Sequence, residues 1–386
     1  MANRAGTRRK IKNEYYFDYS LIFIVLFLLG FGLMMIYSAS SYEAYADYGN
    51  EAYYLRKQFI AVLAGLFAMV VVSVLPYKLW EKFTGLIYAV SMVLVALVPK
   101  FGIESHGAKR WLRVPVFGSL QPAEVAKIAI IIVLASLISK MGRRVCSWKA
   151  ILILLGIAGV QALMVWKLTD NLSSGIIILG IGVLMIFVAT PDYKKYILFA
   201  LVAGAAIAGG IYYIYTVGMQ EGMNFRFKRV LAWLEPEKYP SDVGYQTLQS
   251  LYAIGSGGIW GKGLGQSMQK LDFIPEAQND MIFSIICEEL GLFGAFAVML
   301  MFVMLLWRMM IIANNANDLY GSLLVIGVMG HIAIQVILNI GVVTNTIPNT
   351  GISLPFISYG GSSVLFLLSE IGLVISVASR IQLKES

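Results

Sequence analysis

Residues 281–307, MIFSIICEELGLFGAFAVMLMFVMLLW, decide the fold class. About 20 mostly apolar residues suffice to cross a bilayer, and this run exceeds that length. Directly before it stands FIPEAQND, residues 273–280, which sets Glu276 and Asp280 at the mouth of a membrane helix. Two readings of these acids stand. They can cap the helix, since Pro275 suits a first turn and carboxylates suit the positive end of a helix dipole. Alternatively, Asp280 serves chemistry at the membrane boundary. Asp280, Ser284 and Glu288 follow at i, i+4, i+8 and are expected to share one helical face.

Working outward, nine further apolar stretches have comparable length: 20–37, 58–75, 83–98, 122–139, 150–166, 174–189, 196–216, 322–342 and 360–379. The third is short. With 59% hydrophobic and only 13% charged residues among 386, and a mean hydropathy of +0.75, the chain reads as an all-α polytopic membrane protein of about ten transmembrane helices. Ser38–Ser40 resembles a signal-peptide cleavage site. The first apolar run is longer than a typical h-region and further spans follow, so it is expected to be retained.

Basic residues orient the spans. Arg4, Arg8, Arg9, Lys10 and Lys12 precede the first, and alternate short loops carry Lys78 and Lys82, then Lys140, Arg143, Arg144 and Lys149, then Lys194 and Lys195. Arg380 and Lys384 close the chain. All fall on one side, so the tails, 1–17 and 380–386, are expected in the cytoplasm. Two opposite loops carry basic clusters of their own. Residues 99–121 hold Lys109, Arg110 and Arg113; the large extracytoplasmic loop 217–280, between helices 7 and 8, holds Arg226, Lys228, Arg229, Lys238, Lys262 and Lys270. In so apolar a chain the net charge of +8 points to basic loops and an anionic ligand such as a lipid headgroup or diphosphate, and not to nucleic acid. The two cysteines, Cys146 and Cys287, form no disulfide framework and are expected to be free thiols. No repeat, appended soluble domain, Walker A or zinc spacing is present, so residues 1–386 are expected to form a single membrane domain.

Ionisable groups within a span are costly. Glu288 and Glu289 lie about two turns inside the eighth span, and His331, Gln335 and Asn339 form a polar stripe on the ninth. Such a stripe reads as interhelical hydrogen bonding. Glu124 and Lys127, at i, i+3, read equally as an ion pair or a ligand site. Residues 255–265, GSGGIWGKGLG, read as a linker or as a phosphate-approaching backbone with Lys262 supplying charge. Broken helices of the transporter type are not evident.

Several phrases together resemble the SEDS family (shape, elongation, division and sporulation), the group of FtsW, RodA and SpoVE. They are YSAS (37–40), KRWLRV (109–114), LQPAEVAK (120–127), GYQTLQSLYAIGSGGIWGKGLGQS (244–267), FIPEAQNDMIFSIICEELG (273–291) and NIGVVTNTIPNTGISLPFISYGGSS (339–363). YSAS and the last phrase lean toward the FtsW/SpoVE branch. The resemblance implies a ten-helix fold in the bacterial cytoplasmic membrane and a peptidoglycan glycosyltransferase polymerising lipid II at its outer face, in cell division or related wall synthesis. It also implies a class B penicillin-binding protein (a transpeptidase) as partner, with other divisome or elongation proteins. The family's essential aspartate falls on Asp280, its outer-loop tryptophan on Trp111, and the pair opening the fourth helix on Glu124 and Lys127. The chain departs from the family at 167–175, KLTDNLSSG, where Gln-Pro-Asp-Leu-Gly is common, and no role is carried to Asp170.

The implied reaction is one inverting displacement with undecaprenyl diphosphate leaving. It needs a base, for which Asp280 is the candidate, and countercharge, for which Lys109, Arg110, Lys127 and Lys262 are candidates. Trp111 would stack on a sugar or anchor its loop. No Asp-x-Asp spacing marks a metal, and a divalent cation is left open. The alternatives are a lipid II flippase and a non-catalytic scaffold for a transpeptidase.

Overall fold

The computed structural model describes residues 18–105, 108–114, 118–191, 193–217, 225–239 and 243–381; most of both charged tails lies outside them. The helices are α1 (Tyr19–Tyr48), α2 (Tyr53–Val74), α3 (Tyr77–Lys82), α4 (Thr84–Phe101), α5 (Pro122–Met141), α6 (Trp148–Thr169), α7 (Leu172–Ala189), α8 (Tyr193–Val217), α9 (Phe225–Leu234), α10 (Val243–Gly257), α11 (Ile282–Asn314), α12 (Leu319–Val343) and α13 (Gly361–Ala378). Ten of them are long and apolar enough to cross a membrane, in the order expected. Among the described residues the exception to an all-helical fold lies between α4 and α5. There β1 (Gly102–Ser105), β2 (Ala108–Val114) and β3 (Gly118–Leu120) form an antiparallel sheet in the order β1-β2-β3.

The connections gather at two ends. At one, Arg308 pairs with Asp18 (2.8 Å), Lys78 with Asp318 (3.0 Å) and Lys140 with Glu81 (3.7 Å). At the other, Gln278 donates to Glu43 (3.1 Å) and Ser362 to the Ser119 carbonyl (2.8 Å). Successive loops thus gather at alternate ends, with basic residues at both: Lys78 and Lys140 at one, Lys109 and Arg110 at the other.

Helices approach closely where glycine removes a side chain. A Cβ on Gly372 of α13 would lie 2.6 Å from the Met69 carbonyl oxygen of α2. One on Gly32 of α1 would lie 2.6 Å from the Phe356 carbonyl oxygen, so α1 admits the α12–α13 connection into the bundle. That connection buries Leu354, Phe356 and Ile357. Irregular backbone at such depth needs partners from the protein. Gln335 donates to the Ser353 carbonyl (3.0 Å), Asn339 to the Ile352 carbonyl (2.7 Å), and Gln58 accepts from the Gly360 N–H (3.1 Å). The polar stripe of α12 is thus interhelical glue whose main object is a loop. By contrast, none of residues 194–216 of α8 is buried.

Two expectations fail. Residues 271–280 are turns, with Asp272 and Glu276 at φ 69° and 49°, and α11 begins only at Ile282. Pro275 therefore opens no helix, and Asp280 is off the helical face that carries Ser284 and Glu288. Secondly, α11 is broken: Gly291 has φ 68° and ψ −167° in mid-helix. A Cβ there would lie 2.4 Å from both Gly261 N and Ile259 O. The break is made by backbone from the glycine-rich segment, which the linear sequence sets some thirty residues away.

Candidate functional site

The glycine-rich segment spends its steric freedom on α11. Gly261 has φ 79°, and a Cβ on it would lie 2.2 Å from the Glu289 carbonyl oxygen. Across this contact Lys262 N donates to Glu288 O and Gly263 N to Glu289 O (both 2.9 Å), while Leu292 N donates to Gly258 O (2.9 Å). The two buried carboxylates complete the clamp. Glu288 accepts from Lys262 Nζ (2.6 Å), Ser267 Oγ and the Met268 N–H (3.2 Å). Glu289 accepts from Lys270 Nζ (2.9 Å) and from Ser38 Oγ of α1 (2.6 Å). Lys262, a candidate for binding an anion, is thus held in an ion pair whose carboxylate is fully buried.

Asp280 ends the segment that this clamp supports. Asn339 Nδ2 donates to its carbonyl (2.8 Å), the same group that holds Ile352 O, so α12 joins Asp280 to the α12–α13 connection. Gly351 (φ 67°) passes beside the carboxylate: a Cβ there would lie 3.7 Å from Asp280 Oδ2. The carboxylate is half-buried. Burial raises its pKa to about 6; a backbone hydrogen bond opposes the rise, Glu276 adds to it and Arg229 opposes it. Among the described residues no other side chain donates a hydrogen bond to it. Its neighbour Arg229, on α9, donates to the Asn349 carbonyl (3.1 Å).

The same connection reaches the other candidates. Ser173, at the start of α7, donates to the Thr350 carbonyl. Three residues earlier, the Asp170 carbonyl accepts from Arg110 Nη2 (3.2 Å). Arg110 and Lys109 are exposed on β2, and Trp111 between Arg110 and Leu112 is partly buried. Strand β3 leads into α5, where Lys127 Nζ lies 2.8 Å from Glu124 Oε1 with both side chains almost wholly buried. Of the two readings of that pair, the ion pair is what the geometry contains, although Glu124 Oε2 is buried with no hydrogen-bond partner among the described residues. Among the described residues no three His, Cys, Asp or Glu side chains converge as metal ligands. Cys146 and Cys287 are free thiols.

Sequence reasoning did not single out Arg229, Asn349 or Gly351. Arg229 stood among six basic residues of its loop, and only the docking of α9 selects it. Asn339 was visible in the stripe, but not its bond to Asp280.

The buried pair gives one prediction. Replacing Lys127 by Met leaves Glu124 buried without countercharge and is expected to cost about 3–5 kcal/mol. Adding Glu124→Gln should recover a large part of that loss, read as a double-mutant cycle from thermal unfolding in detergent. Additive losses would contradict the pairing.

The family model described as cell cycle protein, FtsW/RodA/SpoVE, matches residues 19–382. Stage V sporulation protein E of Bacillus subtilis (strain 168) is 37% identical over 364 residues, 94% of this chain and 96% of that protein. A probable peptidoglycan glycosyltransferase FtsW of Trichlorobacter lovleyi is 35% identical over 377 residues, 95% of this chain and 94% of its own length. A chain of a peptidoglycan synthase complex superimposes with a TM-score of 0.77 at 24% identity, covering 94% of this chain and 97% of that one. The rod shape determining protein RodA of Thermus thermophilus gives 0.64 at 23% identity, covering 95% and 98%. These two share the fold. With a family match that runs from the first span past the last and relatives that align almost end to end, this multi-pass membrane protein belongs to the FtsW/RodA/SpoVE family.

Proposed function

We propose that the chain is a peptidoglycan glycosyltransferase that polymerises lipid II at the outer face of the bacterial cytoplasmic membrane, with both termini inside and Asp280 as the base. The observation that carries the reading is the Asp280 carboxylate: half-buried, given no hydrogen bond by any other described side chain, and raised to about 6. A carboxylate so placed accepts a proton more readily than a solvated one and is still ionised at neutral pH. The names of the relatives support the same reaction class.

In the proposed step the 4-hydroxyl oxygen of one lipid-linked disaccharide attacks the anomeric carbon of another. The hydroxyl proton passes to Asp280. The bond from the anomeric carbon to the diphosphate oxygen breaks with its electron pair, and undecaprenyl diphosphate departs with inversion. Lys109 and Arg110, exposed on β2, are proposed to meet the diphosphates, with Trp111 beside them. Lys127 and Lys262 already face carboxylates and would add countercharge only in part. Arg229, near Asp280, limits the rise of its pKa and keeps the base ionised under working conditions. A class B penicillin-binding protein is the proposed partner.

The test gives the purified full chain, with that partner, lipid II in a membrane. Polymer from the wild type and none from Asp280→Asn is the result expected. Lipid scrambling without polymer would establish a flippase instead. Intact partner binding with neither activity would establish a scaffold.

A further inference from the structure

We propose that the overhanging end of α1 and the start of α2 form a saccharide-binding platform, which takes the amino-sugar strand as it leaves Asp280. The inference rests on the polymerase reading above. Helix α1 has 30 residues, about 45 Å at 1.5 Å per residue, against a hydrocarbon core of about 30 Å. The length exceeds a crossing by about ten residues, and the last turns, where Glu43 accepts from Gln278, lie beside the segment that ends at Asp280. This overhang and the turn after it read SYEAYADYGNEAYYLRK, residues 41–57.

The rings form a ladder. Tyr48 and Tyr53 lie face to face at 3.7 Å and 13°. Tyr54 stands edge-on to Tyr53 (5.4 Å, 83°), and Tyr359 stands edge-on to Tyr54 (5.2 Å, 82°). The inner end meets the segment that bears the base: Tyr359 N donates to the Gln278 carbonyl (2.9 Å), two residues before Asp280. Glu43 bridges the two, accepting from Tyr54 Oη (3.1 Å) and from Gln278 Nε2 (3.1 Å). At the outer end Tyr48, stacked on Tyr53 by one face, is 51% exposed, so the ladder ends at solvent.

Three ligand classes suit exposed aromatic rings near a membrane, and the surrounding charges choose among them. An anionic headgroup or diphosphate wants basic surroundings, yet between residues 43 and 57 the acids Glu43, Asp47 and Glu51 outnumber Arg56 and Lys57. An interfacial belt spreads its rings around the protein at the level of the headgroups; here they pack on one another at one place, with carboxylates interspersed. A pyranose ring fits both features. Its C–H face lies against the negative face of an aromatic ring, and its rim hydroxyls and amide find hydrogen-bond partners in carboxylates, phenols and Lys57. Lys57 Nζ already donates to Tyr53 Oη (2.5 Å), which fixes the ring. The two flanks of Asp280 thus differ in chemistry: a basic β-hairpin on one, a tyrosine ladder of mixed charge on the other.

The experiment uses the full chain carrying Asp280→Asn, which is not expected to turn over, in detergent, titrated with tetra-N-acetylchitotetraose by calorimetry. Saturable binding is expected. Adding Tyr48→Ser should weaken it at least tenfold, whereas Tyr48→Phe, which keeps the face, should stay within about threefold, with thermal unfolding unchanged in both. No saturable binding, equal affinity in the Ser variant, or equal loss in the Ser and Phe variants would overturn the platform. Because no turnover is involved, failure here bears on the platform alone; failure of the lipid II assay bears on Asp280.

Discussion

Replacing Asp280 by Asn is expected to lower polymerisation at least 10³-fold while making the folded protein more stable above pH 6. The first half follows from the chemistry. A positioned general base contributes about 10²–10⁴-fold, and an amide of the same shape accepts no proton. The second half follows from linkage. The pKa rises from 3.8 to about 6 on folding. Below 3.8 both states hold the proton and nothing is gained or lost. Between 3.8 and 6 the folded protein keeps a proton that the unfolded chain has released, so stability falls as pH rises through that window. Above it the whole penalty is present, at most about 3 kcal/mol for two pKa units. Asn removes that penalty, so the variant should melt higher than wild type at pH 8 and equally at pH 3.5. Such a trade of stability against activity is what a functional group with a net burial penalty produces. A structural cap would behave oppositely, its loss lowering the melting temperature at neutral pH.

The second large effect is expected at Gly261. Alanine there meets two obstacles: φ of 79°, and a Cβ 2.2 Å from the Glu289 carbonyl oxygen and 2.6 Å from Gly291 N. Both neighbours are backbone, so no side chain can swing aside. Moving the segment away breaks the N–H bonds of Lys262 and Gly263 to α11 and pulls Lys262 from Glu288. Glu288 is then buried with part of its partner set lost. The cost is expected to exceed about 4 kcal/mol, enough to remove folded protein from a size-exclusion profile in detergent. Gly255 in the same phrase is the control. It lies within α10 with open space around it, and Ala there should be neutral or gain up to about 1 kcal/mol.

The contrast between these glycines marks what could be read from the chain. The spans were legible because apolar length is a local property. The α12 stripe was legible as a periodicity, with its role correctly assigned to hydrogen bonding. The break at Gly291 was not, since its cause is a set of backbone hydrogen bonds with residues 258–263 that no periodicity records. The small sheet is hidden for a different reason: KRWLRV shows no strict alternation, with Lys109 and Arg110 both exposed, and β2 is defined by its pairing with β1 and β3. At the site, Asp280 stood out from a family phrase and from its place before a span. Its turn conformation did not, because Pro275 followed by acidic residues is equally the signature of a helix start. Arg229 and Gly351 reach Asp280 only through tertiary contacts, and their local sequence carries no sign of it.

The central claim is that the Asp280 carboxylate takes the proton of the attacking hydroxyl. The pH dependence of single-turnover glycan coupling tests it most directly. The account predicts a wild-type rate that rises tenfold per pH unit below about 6 and levels above it, and an Asp280→Asn rate that is low and flat across the same range. A wild-type rate independent of pH from 4.5 to 8, or an unchanged inflection in the variant, would contradict it.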